Sequence, residues 1–119
     1  MEDVDIIHHN DFGIAFKWKD TVFADQNRVQ LVFKNMGFYL NSEEVALFSD
    51  YIKCAKSRSS ECEICSESRN CERKVLLKSP LEKMDFTLNL SELDKICDLV
   101  EGTIFKMKLD YYINSVSLN

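Results

Sequence analysis

Met36-Gly37-Phe38-Tyr39-Leu40-Asn41-Ser42-Glu43 and Met84-Asp85-Phe86-Thr87-Leu88-Asn89-Leu90-Ser91-Glu92 decide how this chain folds. Allowing one inserted residue, both read Met-x-Phe-x-Leu-Asn, then Ser-Glu. In each, apolar side chains at alternate positions form one face of a strand. The serine with an acid behind it then opens a helix, where a hydroxyl caps free N–H groups and the dipole favours a carboxylate. Another apolar run precedes each copy: Val29, Leu31 and Phe33 in the first, Val75 to Lys78 in the second. The repeated unit is two strands, a serine cap and a helix. Neither copy can bury its sheet face alone, so the two are expected to share a sheet and a core. An internal duplication follows, against the plainer alternative that strand, cap and helix arose twice as a common local solution.

Upstream, Asn10-Asp11 turns into Phe12-Gly13-Ile14-Ala15-Phe16-Lys17-Trp18, and Thr21-Val22-Phe23 lies beyond Lys19-Asp20. With Val29–Phe33 and Phe38–Leu40 these give up to four short antiparallel strands before position 41, Asn35-Met36-Gly37 supplying a tight connection. The first helix carries Val45, Phe48, Ile52 and Ala55 at helical spacing, widened by Leu47 and Tyr51, and is expected to end near Lys56 or Ser57. In the second, Leu93, Cys97, Val100, Ile104, Met107 and Tyr111 follow a 4-3-4-3-4 spacing across Gly102. That glycine costs about 1 kcal/mol relative to Ala in a helix interior. Phe105, Met107, Leu109 and Tyr111 also alternate, so residues 103–113 have a strand alternative, but the stripe crosses Gly102 in phase and favours one long helix. Tyr111-Tyr112 are expected to pack at its end. The predicted fold is α+β: an antiparallel sheet with two amphipathic helices on one face. Residues 1–119 form one domain with halves 10–57 and 73–116 and a cysteine-rich insertion at 54–72.

The chain's 119 residues leave little room for two cores. With 45% hydrophobic residues, eight Phe, four Tyr and one Trp, it has the material for a packed core and is not disordered. Three glycines, at 13, 37 and 102, cannot make a phosphate-cradling loop. A net charge of -5 disfavours nucleic acid, because an acidic surface repels a phosphate backbone. The acidic start Met1-Glu2-Asp3-Val4-Asp5 is unlike a secretion signal, and no window approaches a membrane span, so a cytoplasmic protein is expected.

The run from Asn10-Asp11-Phe12-Gly13 through Phe33-Lys34-Asn35-Met36-Gly37-Phe38-Tyr39-Leu40-Asn41-Ser42-Glu43-Glu44, with Leu88-Asn89-Leu90-Ser91-Glu92-Leu93 and the long helix, carries a resemblance. It resembles a family of small uncharacterised cytosolic proteins of Bacteroidetes-type bacteria, a domain of unknown function, over roughly residues 10 to 113. The resemblance implies fold and cytosolic location and no known activity. Some members of that family carry a Cys-x-x-Cys pair in the early strands, where this chain reads Lys17-Trp18-Lys19-Asp20-Thr21-Val22 without cysteine.

Four of five cysteines fall in the insertion, as Cys54-x7-Cys62-Glu63-Ile64-Cys65-x5-Cys71. A Cys-x-x-Cys turn offers two thiolates to one tetrahedral ion, so Cys54, Cys62, Cys65 and Cys71 form a candidate zinc site, with His8-His9 as a further nitrogen source. Thioredoxin-like redox work needs a strand before the pair and a helix after it, and Glu61, Glu63 and Glu67 would raise thiol pKa values. The spacing matches neither ferredoxin pattern. Free thiols or adventitious disulfides complete the alternatives, while Cys97 reads as an ordinary buried thiol. Lys53, Lys56, Arg58, Arg69, Arg73 and Lys74 stand against Glu61, Glu63, Glu67 and Glu72, a mixed pattern with no aromatic stacking platform. Trp18 reads as half-buried sheet surface.

No His-Glu-x-x-His, Gly-x-Ser-x-Gly or interpretable carboxylate pair occurs. The sequence therefore favours a small non-enzymatic binding or interaction module, a possible homodimer through the long C-terminal helix. The alternative is a zinc-binding or thiol-redox protein built on the cysteine cluster.

Overall fold

The computed structural model describes residues 4–19, 28–60, 74–81 and 83–117. Strands β1 (Val4–His9), β2 (Gly13–Trp18), β3 (Arg28–Phe33) and β4 (Met36–Asn41) form an antiparallel sheet in the order β1-β2-β3-β4. Helix α1 (Ser42–Ser60) follows, then the hairpin β5 (Val75–Lys78) and β6 (Asp85–Leu88), then helix α2 (Leu90–Ser117). The fold is α+β as the periodicities predict, but the strands make two sheets. The hairpin β5-β6 is a sheet of its own and does not pair with β4. The halves join through side chains instead.

Register explains the joint. Leu31 pairs with Ala15 and Phe38, and Phe33 with Gly13 and Met36, so Ala15, Leu31, Phe33, Phe38 and Leu40 lie on one face of the large sheet. That face meets Val45, Phe48, Ile52 and Ala55 of α1 and Leu93, Ile96, Leu99 and Val100 of α2, all buried in one cluster with Leu77, Phe86 and Leu88. Phe33 lies at the cluster's centre, its ring 5.6 Å from Phe12 and Phe38, 6.4 Å from Phe48 and 5.2 Å from Phe86. The α1 positions are those the sequence spacing selects, except Leu47, which is exposed. The helix also runs to Ser60, past the expected stop at Lys56 or Ser57.

Four local expectations are corrected. The first strand is Val4–His9, which the sequence reading left out, while Thr21-Val22-Phe23 lies outside the described residues. The β3–β4 connection is Lys34-Asn35, with φ of 51° and 63°, and Gly37 sits within β4. Two consecutive positive φ values make the turn whose twist matches a hairpin.

The helix caps are asparagines. The Asn41 side chain accepts the Glu44 N–H (2.8 Å) and the Glu44 carboxylate accepts the Asn41 N–H (2.9 Å). Asn89 and Glu92 repeat both bonds at the same distances. Ser42 and Ser91 are left in the first turns, because an acid three residues after Asn closes a reciprocal box that an acid beside the serine cannot. On these caps the two motifs align without the inserted residue: Met36, Phe38, Leu40, Asn41 and Glu44 each correspond to the residue 48 positions on.

Fourth, α2 is one helix across residues 103–113, as its stripe favours, but the tyrosines expected to pack near its end do not. Tyr111 is 77% and Tyr112 66% exposed. No described side chain after Thr103 is fully buried, because the helix outruns the elements that cover it. Cys97, expected buried, is half-covered beside the core.

Candidate functional site

The proposed zinc ligands are only partly in view. Cys54 is exposed on α1, and Cys62, Cys65 and Cys71 lie outside the described residues. Among the described residues no group of three or more His, Cys, Asp or Glu side chains could hold a metal ion.

His8 and His9 part company. In β1 the register shifts between Ile6 and His8, so Ile7 is a bulge. Ile6 opposes Phe16 on the face away from the helices. Without the bulge His8 would share that face; with it, His8 opposes Ala15 and points at α2. His9 opposes Ile14 and is exposed. The two imidazoles thus cannot serve one ion from this strand.

His8 instead enters a polar cluster on α2. Its Nε2 lies 3.2 Å from the Asp98 carboxylate, which also accepts a bond from the Asn10 side-chain amide at 3.0 Å. The same amide donates to the Lys95 carbonyl (2.9 Å), while the Asn10 side-chain oxygen accepts the Phe12 and Gly13 N–H groups. One side chain therefore turns β1 into β2 and fastens that turn to α2. The imidazole lies against Gly102: a Cβ there would stand 2.5 Å from the ring's Cδ2 and Nε2. The glycine that costs the helix stability is the seat of His8.

A His–Asp pair held by a third group is the orienting part of acid–base machinery, but the reaction also needs a nucleophile or a bound substrate. Among the described residues Asp98 is the one hydrogen-bond partner of the His8 side chain. The arrangement docks the edge strand on the helix.

Asn10 first, and His8 next, stabilise the ionised Asp98 and hold its pKa below the ordinary carboxylate value. Glu92 is lowered too, chiefly by Lys34, whose Nζ is 2.9 Å from the carboxylate oxygen left over from the Asn89 cap. Both depressed groups contribute stability above their unfolded-state pKa values and lose it as pH falls through the folded ones. Stability should thus begin to drop below about pH 4.5, where free carboxylates protonate. Glu92→Gln should flatten that acid slope in urea titrations at pH 5, 4 and 3. An unchanged slope would separate Glu92 from the acid response.

Two apolar features remain. An open cleft of about 420 Å³ is lined by β4 from Met36 to Leu40 and by Leu81 and Met84. None of these described lining residues carries a carboxylate, imidazole or thiol. The other feature is the end of α2, where Phe105 (69% exposed), Leu109 (39%), Tyr112 (66%) and Ile113 (51%) recur at helical spacing. Thr103 and Met107, two residues to either side of Phe105, face the core, so at about 100° per residue Phe105 points the opposite way. The predicted stripe through Tyr111 followed the core side and missed this outer one. Its signal was present in the sequence: Phe105 and Leu109 were read there within a strand alternation with Met107 and Tyr111, and Tyr112 as packing at the helix end.

A family model described as a family of unknown function (DUF6686) matches residues 2–117, and the chain belongs to that family. Neither a curated protein nor a solved structure matches it. No helix among the described residues is long and apolar enough to cross a membrane.

Proposed function

We propose that this member of the family is a non-catalytic interaction module that self-associates through the outer face of the C-terminal half of α2. One observation carries the reading: Phe105, Leu109, Tyr112 and Ile113 form an apolar stripe turned away from the protein's own core. An amphipathic helix normally has polar residues there, and large apolar residues grouped on one exposed face mark a contact surface. Sedimentation equilibrium should show reversible dimers with a dissociation constant on the order of 10 μM, as a small interface allows. Phe105→Ser with Tyr112→Ser should return the protein to monomer while its unfolding free energy at high dilution stays within about 0.5 kcal/mol of the parent. A parent chain that remains monomeric at hundreds of micromolar would remove the reading.

A second reading, zinc held by Cys54, Cys62, Cys65 and Cys71, draws support from Cys54, whose thiol is exposed on α1 instead of packed in the core. Five thiols cannot all pair within one chain, and in a reducing compartment such a cysteine cluster reads as a metal site sooner than as disulfides. Protein purified without chelator should then hold close to one zinc per chain. Less than about a tenth of an equivalent would end this reading, since structural zinc contributes folding energy directly.

A further inference from the structure

We infer that the self-association proposed above, on which this inference rests, joins two copies with their α2 helices antiparallel, about a two-fold axis close to Leu109. Both flanks of α2 are occupied up to Gly102. Helix α1 takes one through Ser49 and Lys53, both bonded to Glu101, and β1 takes the other through His8 on Asp98 and Gly102. Beyond that point Phe105, Leu109, Tyr112 and Ile113 are exposed among the described residues. A parallel partner would bring the flanking elements of both copies to the same level, where they collide. An antiparallel partner sends each body past the other's C-terminal end.

The residue order agrees. An axis at Leu109 sets Phe105 of one copy level with Ile113 of the other, and Leu109 against its own image, an apolar row that is self-complementary as a two-fold contact requires. Lys106 and Lys108 precede Leu109 and Asp110 follows it. Lys108 and Asp110 stand about 200° apart round the helix, on opposite flanks of the apolar row, so the orientation rests on the flanking elements and not on these charges. Among the described residues Asp110 is bonded to Lys106 at 3.3 Å and Lys108 has no ion-pair partner.

The exposed parts of Phe105, Leu109, Tyr112 and Ile113 amount to roughly 400–500 Å² per copy. A standard interface buries about 800 Å² per partner, so even with the flanking lysine stems the row supplies a contact of the smaller, weak and reversible class.

The test places a photoreactive benzoylphenylalanine at position 105 of the full chain, irradiates it at concentrations where dimers form, and maps the links by mass spectrometry. Links between copies from position 105 to residues 109–113 are expected. Leu109→Glu, with helicity checked by circular dichroism, should weaken association at least 10-fold. Links from 105 to 105 would overturn the antiparallel arrangement and leave self-association standing. Dimers that form without any link from 105, and that Leu109→Glu does not weaken, would overturn the use of this face. Monomers at every concentration would overturn both this inference and the function it rests on.

Discussion

Phe86→Ala is expected to destabilise the protein by about 3–5 kcal/mol, the range for emptying a buried aromatic site. Phe86 is 4% exposed on β6, and its ring lies 5.2 Å from Phe33, 5.5 Å from Phe38 and 5.9 Å from Phe48. Those neighbours belong to β3, β4 and α1, so one ring from the small sheet touches three elements of the first half. Among the described residues no backbone pairing joins the two sheets that could hold the site closed when the ring is removed. The cavity term therefore adds to the lost transfer energy, since the surrounding rings are fixed by the large sheet and by α1. For a chain of this size the loss corresponds to a fall in midpoint temperature of roughly 10–20 °C. Leu76→Ala is the control. Leu76 sits in the same hairpin but is 61% exposed, and its loss should stay within about 0.5 kcal/mol. Urea unfolding of both variants measures the difference. A loss below about 1.5 kcal/mol for Phe86→Ala would mean that the hairpin is an appendage and not half of a shared core.

That joint shows what kind of information the sequence holds. Alternation in Val29, Leu31 and Phe33 and helical spacing in Val45, Phe48, Ile52 and Ala55 are local, because each follows from the geometry of one element facing one core. These residues were legible and are buried. The strand β1 was not, because its bulge breaks the period of two: Ile6 and His8, two residues apart, face opposite sides. The turn at Lys34-Asn35 was hidden by Gly37, which has the freer backbone yet lies in the strand beside it, its missing Cβ leaving room for the Gln30 side chain. Whether the halves pair edge to edge or meet through rings is decided by contacts between Phe38 and Phe86, far apart in sequence, and periodicity is silent there. The cluster of His8, Asn10 and Asp98 spans 90 residues for the same reason. One trace of it was visible. A glycine inside an otherwise continuous helical stripe asks for a close approach, and Gly102 has one.

Gly102→Ala should accordingly change sign with its neighbour. In an isolated helix the replacement gains up to about 1 kcal/mol. Here the new Cβ would stand 2.6 Å from the Cγ of His8 as well as 2.5 Å from the ring's far atoms. Turning the imidazole about its bond to Cβ does not move Cγ, and turning about Cα–Cβ breaks the ring's bond to Asp98, itself fastened by Asn10. Accommodation requires that bond to break or β1 to withdraw from α2. Gly102→Ala alone should then cost about 1–3 kcal/mol, as overpacking does, despite the better helix former. His8→Ala alone should cost about 1 kcal/mol for the lost hydrogen bond and ring contact. In the His8→Ala background the obstacle is gone, and Gly102→Ala should stabilise by up to about 1 kcal/mol. The four proteins form a double-mutant cycle with a coupling energy of about 2 kcal/mol or more, measured by urea unfolding at pH 7. Additive effects within about 0.5 kcal/mol would show that His8 does not rest on Gly102 in solution, and the docking of β1 on α2 would then need another cause.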